Sequence, residues 1–197
     1  AHVISGFIAT YQVTHDMSWL WIAQELTEYT LTHFHDEASK MFFFTPSSTQ
    51  LIARKMEVND NVIPASNSVM ARNVFVLSKY FRKENYLELS KQMLANVYDG
   101  MEMYGSGYSN WGMLLNHLVY GHYEIVVTGL DVKAKMARLQ SRICDDVLFA
   151  GTKKLSELAI FENKWVENKT MIHVCADGTC FLPTESVEAA VEALSNG

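Results

Sequence analysis

The sequence lacks three things that would assign it to a class at once: an excess of positive charge, a long apolar run and a rich supply of cysteine. Lysine and arginine number 16 against 22 acidic residues, and the resulting net charge of −6 gives no electrostatic footprint for nucleic acid or an anionic membrane. No apolar run approaches the length of about 20 residues that a membrane span needs, and no signal peptide opens the chain. Three cysteines are too few for a disulfide scaffold, so we expect a cytoplasmic protein with neither nucleic acid nor membrane as a partner.

Repeated helical patterns fill the first part of the chain. Apolar residues at helical spacing predict two helices before residue 36 and two more over Ser66–Phe81 and Tyr86–Tyr98. The two pairs align, with Trp19-Leu20 matching Tyr86-Leu87. Repeated hairpins bury their faces only against neighbouring hairpins, so an array is expected. Two hairpins are few for an array, and the chain begins within a helical pattern, so we expect it to be part of a longer protein.

The last part of the chain has a different pattern. Tyr123–Thr128, Asp146–Ala150 and Met171–Cys175 are predicted strands, and a helix is predicted over Val132–Ser141 between the first two. A final helix begins near Thr184. Alternation of strand and helix indicates a small parallel α/β unit. We therefore divide the chain into residues 1–122 and 123–197.

A polar stretch over residues 54–68 connects two apolar, helix-patterned segments. Pro64 ends what precedes it, and Ser66 is a suitable N-cap for the helix that begins near Asn67. The polar groups of Asn67 and Ser68 are therefore expected at the positive end of that helix, beside its unpaired N–H groups.

Two carboxylates, Glu57 and Asp60, lie in the same stretch. A donor-rich helix start beside two carboxylates can hold a hydroxylated ligand, so we predict Glu57, Asp60, Asn67 and Ser68 as ligand-binding residues. The alternative is a well-capped helix preceded by a solvated loop, since most Ser/Asn clusters before an apolar run are caps.

An aromatic group follows in the loop before the fifth predicted helix. Tyr108 and Trp111 lie near Asn110 in a Gly-Ser-Gly segment, and aromatic faces with nearby amides suit sugars. We predict Tyr108 and Trp111 as a stacking platform for a ligand. Ordinary core packing is the alternative, above all for Trp111.

The last two cysteines, Cys175 and Cys180, enclose the Asp177-Gly178 pair, a strong signal for a tight hairpin. A two-residue turn places the cysteines opposite each other, at a distance near the lower limit for a disulfide. They form either a redox-sensitive pair or two reduced thiols that pack in the hairpin. A zinc site would need two more ligands, and His173 is the only nearby candidate.

His33 and His35 form a further metal candidate, an H-x-H-D run. The run closes a predicted helix, where imidazoles also satisfy the last carbonyls. We therefore predict no metal site and no cofactor.

Three motifs together resemble the C-terminal part of the spermatogenesis-associated type of thioredoxin-domain proteins, a family long described as a domain of unknown function. The resemblance runs from about Gly6 to Leu194. The first motif comprises Asp60, Pro64, Asn67-Ser68-Val69 and Asn73. The second is Glu124–Gly129. The third comprises Cys175, Cys180 and Pro183, followed by Thr184 and Glu185. Two positions depart from the family pattern: Ala65 replaces a usual Ser, and Lys40-Met41 replaces Gly-Gly.

The resemblance implies a fold and a function class. In that family a thioredoxin-like domain precedes a toroid similar to six-hairpin glycosidases and N-acylglucosamine 2-epimerases. We therefore expect a mainly α fold, a partial (α/α) toroid over residues 1–122, followed by the α/β unit. The expected function is binding of a carbohydrate-type ligand, with epimerase- or glycosidase-like turnover as an extension. The alternative is a non-enzymatic scaffold that interacts with the N-terminal thioredoxin-like domain of the full-length protein, a domain that this sequence does not contain.

Overall fold

The computed structural model describes residues 1–49, 52–143, 146–176 and 178–195 and divides the chain into two compact units. The first unit comprises Ala1–Ala9 and Met17–Val119. The second comprises Thr10–Asp16 and Tyr120–Gly197. The sequence pattern places the division after residue 122 and does not indicate that residues 10–16 belong to the second unit.

Helices dominate the first unit, together with a small antiparallel sheet of two strands. In chain order the elements are α1 (His2–Thr14), α2 (Ser18–Phe34), β1 (His35–Asp36), β2 (Met41–Phe42), α3 (Ser66–Phe81), α4 (Glu84–Ala95), α5 (Tyr98–Met103), a short 3-10 helix (Gly105–Tyr108) and α6 (Ser109–Tyr120). The last five residues of α1 and the last residue of α6 are assigned to the second unit.

Helix α3 lies at the centre of this unit. Most of its residues are buried, and the buried set includes four polar side chains, those of Asn67, Ser68, Asn73 and Ser78, beside the apolar ones. It ends at Phe81, and the N–H of the next residue, Arg82, still bonds the carbonyl of Ser78. The left-handed backbone conformation of Arg82 (φ 51°) turns the chain so that the N–H of Lys83 bonds the same carbonyl at 3.2 Å. The chain then reverses into α4, where Tyr86 and Met93 are fully buried, so that α3 and α4 pack as a helical hairpin.

The expected partial α/α toroid is wrong, because the chain is a small α/β protein with a four-stranded mixed sheet and a two-stranded sheet. Helical periodicity specifies that helices form, but it does not specify how many hairpins assemble or what covers them. Here β1 and β2 follow α2 directly, and β2 packs on α3, so a two-stranded sheet lies between the two pairs of helices.

The second unit is built on the four-stranded sheet, whose strand order is β4-β3-β5-β6. Strands β3 and β4 are parallel, as predicted, whereas β5 is antiparallel to both β3 and β6. In chain order the elements are β3 (Tyr123–Thr128), α7 (Val132–Gln140), β4 (Leu148–Thr152), a 3-10 helix (Ala159–Phe161), β5 (Met171–Ala176), β6 (Thr179–Cys180) and α8 (Val187–Ser195).

One face of this sheet forms a hydrophobic core with α7 and α8. Ile125 and Val127 of β3 alternate with residues that point to the other face, and they join Val174 of β5, Met136 of α7 and Ala190 of α8 in one cluster. Alternation along β3 thus fixes which side of the strand carries the helices. None of the helices among the described residues combines the length and apolar character that crossing a bilayer requires.

Candidate functional site

Asp60, a predicted ligand-binding residue, is a buried structural acid. Its side chain is only 8% exposed. Oδ1 accepts hydrogen bonds from the backbone N of Ala65 (2.9 Å) and from Ser68 Oγ (2.6 Å), and Oδ2 accepts one from the backbone N of Asn110 (2.8 Å). The carboxylate therefore satisfies buried backbone and hydroxyl donors.

Asn67 and Ser68 also bond within the protein. The fully buried Asn67 side chain donates to the carbonyls of Phe42 (2.9 Å) and Glu57 (2.8 Å), and its Oδ1 accepts from the N–H of Phe42 (2.7 Å). Ser68, also fully buried, accepts from Asn110 Nδ2 (3.0 Å). These side chains connect β2, the polar stretch, α3 and α6.

Glu57 takes the role that was expected of Ser66. The structure has Ala65 at the N-cap position of α3, so Ser66 is the first helical residue. The exposed Glu57 carboxylate accepts a hydrogen bond of 3.0 Å from the N–H of Ser66, and the Glu57 carbonyl accepts one of 3.3 Å from the N–H of Asn67. The stretch before α3 thus caps the helix with a carboxylate, which its positive end favours.

The predicted stacking residues face the interior of the first unit. Trp111 is fully buried, and its Nε1 donates to the carbonyl of Val58 (2.9 Å). Tyr108 is half-buried, with its ring against Gly100 of α5: a Cβ at Gly100 would lie 2.5 Å from the Tyr108 hydroxyl. Trp111 therefore presents no ring face to a ligand in this structure.

His33 and His35, the other metal candidate, have separate surroundings. The ring of His33 packs against that of Tyr29 at 4.2 Å between centroids, whereas His35 Nδ1 lies 3.4 Å from Glu37 Oε1. Within the part of the chain that the structure describes, no three His, Cys, Asp or Glu side chains gather as metal ligands would.

Cys175 and Cys180 lie opposite each other in the ladder between β5 and β6, and a disulfide joins their sulfur atoms. Cys175 is fully buried and Cys180 is exposed. Asp177, the first residue of the expected turn, lies outside the described residues; Gly178 follows with φ +85°, the conformation that the predicted tight turn requires.

A cavity of about 390 Å³ lies in the second unit at the carboxyl end of β3, and the sequence analysis did not predict it. Its residues come from three separate segments: the turn between β3 and α7 with the start of α7, the connection before β5, and a single residue shortly before α8. They are Gly129, Leu130, Asp131, Lys135, Trp165, Glu167, Asn168, Lys169, Thr170 and Glu185.

The cavity brings a half-buried indole, Trp165, together with carboxylates and an amide. The carboxylates of Asp131 and Glu167 and the side-chain amide of Asn168 have no hydrogen-bond or ion-pair partner among the described residues. Glu185 contributes a third carboxylate, 3.4 Å from Lys169 Nζ. Several polar groups beside one aromatic face are thus available to a ligand.

Close backbone packing holds the wall of this cavity in place. Gly129 has φ +127°, and a Cβ at this position would lie 2.3 Å from the carbonyl oxygen of Lys169. Lys135 Nζ donates to the carbonyls of Thr170 (2.7 Å) and Glu185 (2.6 Å), so one ammonium joins α7 to the other two segments. Gly129 directly after a predicted strand was the signal that could have indicated this site.

No known protein family, curated protein or solved structure matches this chain. The assignment of a function therefore depends on the chemistry of the groups described above.

Proposed function

We propose that this protein binds a carbohydrate-type small molecule in the cavity at the carboxyl end of β3. The observation that carries the proposal is the grouping of Trp165 with Asp131, Glu167 and Asn168, whose side chains have no partner in the part of the chain that the structure describes. A pyranose has an apolar C–H face that packs on an aromatic ring and hydroxyls that donate to carboxylates and accept from amides. These groups therefore match a sugar better than they match a purely apolar ligand.

The place of the cavity in the sheet supports the same proposal. In open α/β sheets, ligands bind outside the carboxyl ends of strands where the strand arrangement changes. Strand β3 has a parallel neighbour on one side, β4, and an antiparallel neighbour on the other, β5. The turn after β3 consequently projects beyond the sheet next to the start of β5, and this turn contributes Gly129 and Asp131 to the cavity.

The proposal concerns sugar binding first, and catalytic turnover of the bound sugar is a further step. Glycoside hydrolysis uses carboxyl groups as acid, base or nucleophile, and epimerisation uses a general acid or base, a role that a carboxyl group can fill. Asp131 and Glu167 are the groups in the cavity that could serve, since neither is engaged by another residue among those described. Loss of turnover at saturating sugar in Asp131→Asn or Glu167→Gln would identify such a group. Absence of any turnover in the parent would restrict the protein to binding.

Thermal unfolding with a panel of monosaccharides and amino sugars tests the proposal. A ligand at about 100 times its dissociation constant raises the free energy of unfolding by about 2.7 kcal/mol, which a melting curve detects readily. We expect a selective shift that Asp131→Asn and Trp165→Ala each reduce. Glu162→Gln is the matched control, because Glu162 is an exposed acid of the same unit outside the cavity. A shift of parental size in Trp165→Ala, or no shift with any sugar, contradicts the proposal.

We also propose membership in the thioredoxin-domain family named above and, with it, a cytoplasmic location. On this view an alternative function is to dock the thioredoxin-like domain of the longer protein. Val62 and Ile63 favour this alternative: they are 96% and 65% exposed, and they follow Asp60, whose N–H bonds the Gly107 carbonyl. The loop before α6, which contains the exposed Tyr104, therefore lies close by.

The docking alternative has its own test. The separately purified thioredoxin-like domain should bind this chain, and Ile63→Asp should weaken binding, whereas Val13→Asp, an equally drastic change at an exposed position of α1, should not. Equal binding by both variants would exclude Ile63 from the docking surface.

A further inference from the structure

The disulfide between Cys175 and Cys180 has two sulfur atoms in unlike surroundings. Cys175 belongs to β5, an inner strand of the sheet, and is fully buried. Cys180 belongs to β6, which stands at the end of the strand order and is exposed at both of its residues. A thiol arriving from solvent can therefore reach Cys180 Sγ but not Cys175 Sγ.

This arrangement also satisfies the geometry of thiol–disulfide exchange. The attacking thiolate approaches along the S–S axis, on the side opposite the departing sulfur. An attack on Cys180 comes from solvent and directs the departing sulfur into the sheet, whereas an attack on Cys175 would have to come through the buried layer. We propose that Cys175–Cys180 is an exchange site for a dithiol reductant, with Cys180 as the sulfur that is attacked.

The reaction is balanced in two steps. First, one thiolate of the dithiol forms a bond to Cys180 Sγ while the Cys175–Cys180 bond breaks, and the electron pair leaves with Cys175 Sγ, which takes up a proton. Second, the other thiol of the reductant attacks the reductant sulfur that is bonded to Cys180 Sγ. The mixed disulfide breaks, and Cys180 is released as a thiol. Two electrons and two protons have then moved to the cysteine pair, and the dithiol has become a cyclic disulfide.

Backbone hydrogen bonds keep the hairpin paired after the disulfide is reduced, so exchange is reversible. Beyond the disulfide, the N–H of Phe181 bonds the carbonyl of Val174 at 2.9 Å. Further along, Ile172 and Thr184 exchange two backbone hydrogen bonds of 2.7 and 3.0 Å. These bonds keep the two segments side by side without the disulfide, so the reduced thiols remain opposite each other and can oxidise again.

The test measures reduction of the native protein by dithiothreitol. All proteins carry Cys144→Ser, which removes the third thiol from the readout. Aliquots are alkylated with N-ethylmaleimide and weighed as intact protein, while circular dichroism follows folding. We expect reduction at a rate proportional to dithiothreitol concentration, with the folded signal retained. Reduction that occurs only when the protein is unfolded by denaturant would show a purely structural disulfide and overturn the proposal.

Single-cysteine variants test which sulfur is attacked. With glutathione disulfide, Cys175→Ser should form a mixed disulfide at Cys180, whereas Cys180→Ser should react at least tenfold more slowly. Equal rates would overturn the assignment of Cys180. If a variant does not fold, the unsubstituted pair is treated with the monothiol glutathione, and tandem mass spectrometry locates the trapped adduct. An adduct on Cys180 supports the assignment, and one on Cys175 overturns it.

Discussion

Asp60 Oδ2 accepts a hydrogen bond of 2.8 Å from the backbone nitrogen of Asn110, which lies 50 residues further along the chain. The other oxygen of the same carboxylate accepts from the N–H of Ala65 and from the Ser68 hydroxyl. One buried acid thus joins the stretch before α3, the first turn of α3 and the start of α6. Its role in this structure is to hold the first unit together.

Asp60→Asn is expected to destabilise the protein. The amide places an NH₂ group where a carboxylate oxygen accepted a hydrogen bond, so one buried donor loses its acceptor and faces another donor. Such a loss lowers the free energy of unfolding by about 2 kcal/mol. Chemical denaturation measures it, and Glu102→Gln, at an exposed acid of α5, should change stability by less than about 0.5 kcal/mol. An Asp60→Asn protein as stable as the parent would refute the structural role.

Gly129→Ala is expected to destabilise the second unit and to disturb the cavity. The added Cβ would lie 2.3 Å from the Lys169 carbonyl oxygen, and φ +127° is strained for any residue with a side chain. A loss of at least about 2 kcal/mol should follow from strain and displacement together. Gly105→Ala is the matched control, since a Cβ there meets no atom within 4 Å. Equal melting temperatures for the two variants would contradict the close packing described at Gly129.

Reduction of the Cys175–Cys180 disulfide should lower stability modestly without unfolding the protein. The bond closes a short loop, with a sequence separation of five residues, and the entropy of such a loop corresponds to about 2 kcal/mol. Urea unfolding with and without dithiothreitol measures the difference. The double variant Cys175→Ala/Cys180→Ala should show no dependence on the reductant. A loss far larger than this would show that the sheet depends on the disulfide, against the reversible exchange proposed.

His173 should make stability fall at acidic pH. Burial lowers the pKa of His173, although a hydrogen bond to the Lys164 carbonyl opposes the shift. Because the folded pKa lies below the unfolded value of about 6.5, the stabilising contribution is complete above that pH. It is lost as the pH falls below about 6.5, since protonation then favours the unfolded chain. Melting curves from pH 8 to about pH 5 should show a weaker decline for His173→Gln. His2→Gln, at an exposed position, should keep the parental decline.

Local patterns predicted several elements closely. Helix α3 begins and ends where the spacing of apolar residues places it, at Ser66 and Phe81, and β3 covers the predicted Tyr123–Thr128. Both signals depend on neighbours within a few residues: Pro64 before the helix, and a continuous apolar run in the strand. The sequence of the segment itself is therefore enough to predict the element.

Contacts between distant segments could not be read from the sequence in this way. Asp60 is near Asn67 and Ser68 in the sequence, which suggested a ligand site, but its third partner, Asn110, becomes visible only in the folded chain. The cavity around Trp165 is assembled from segments near residues 130, 168 and 185, and no local pattern indicates that these three segments meet. The repetition of hairpins predicted an array, and the family resemblance implied that the array was a toroid; the sheets that overturn the toroid depend on pairing between strands.

The central claim is that a sugar binds in the cavity around Trp165 and not at the start of α3. The most direct test compares the sugar affinities of variants changed at each of these two sites. The sugar that gives the largest thermal shift is titrated calorimetrically into the parent protein, Trp165→Ala and Glu57→Gln. We predict that Trp165→Ala lowers affinity by about tenfold, since an aromatic contact contributes about 1 kcal/mol beyond its buried area, and that Glu57→Gln binds like the parent. Normal binding by Trp165→Ala with loss of binding by Glu57→Gln would place the ligand at the start of α3 and contradict the account.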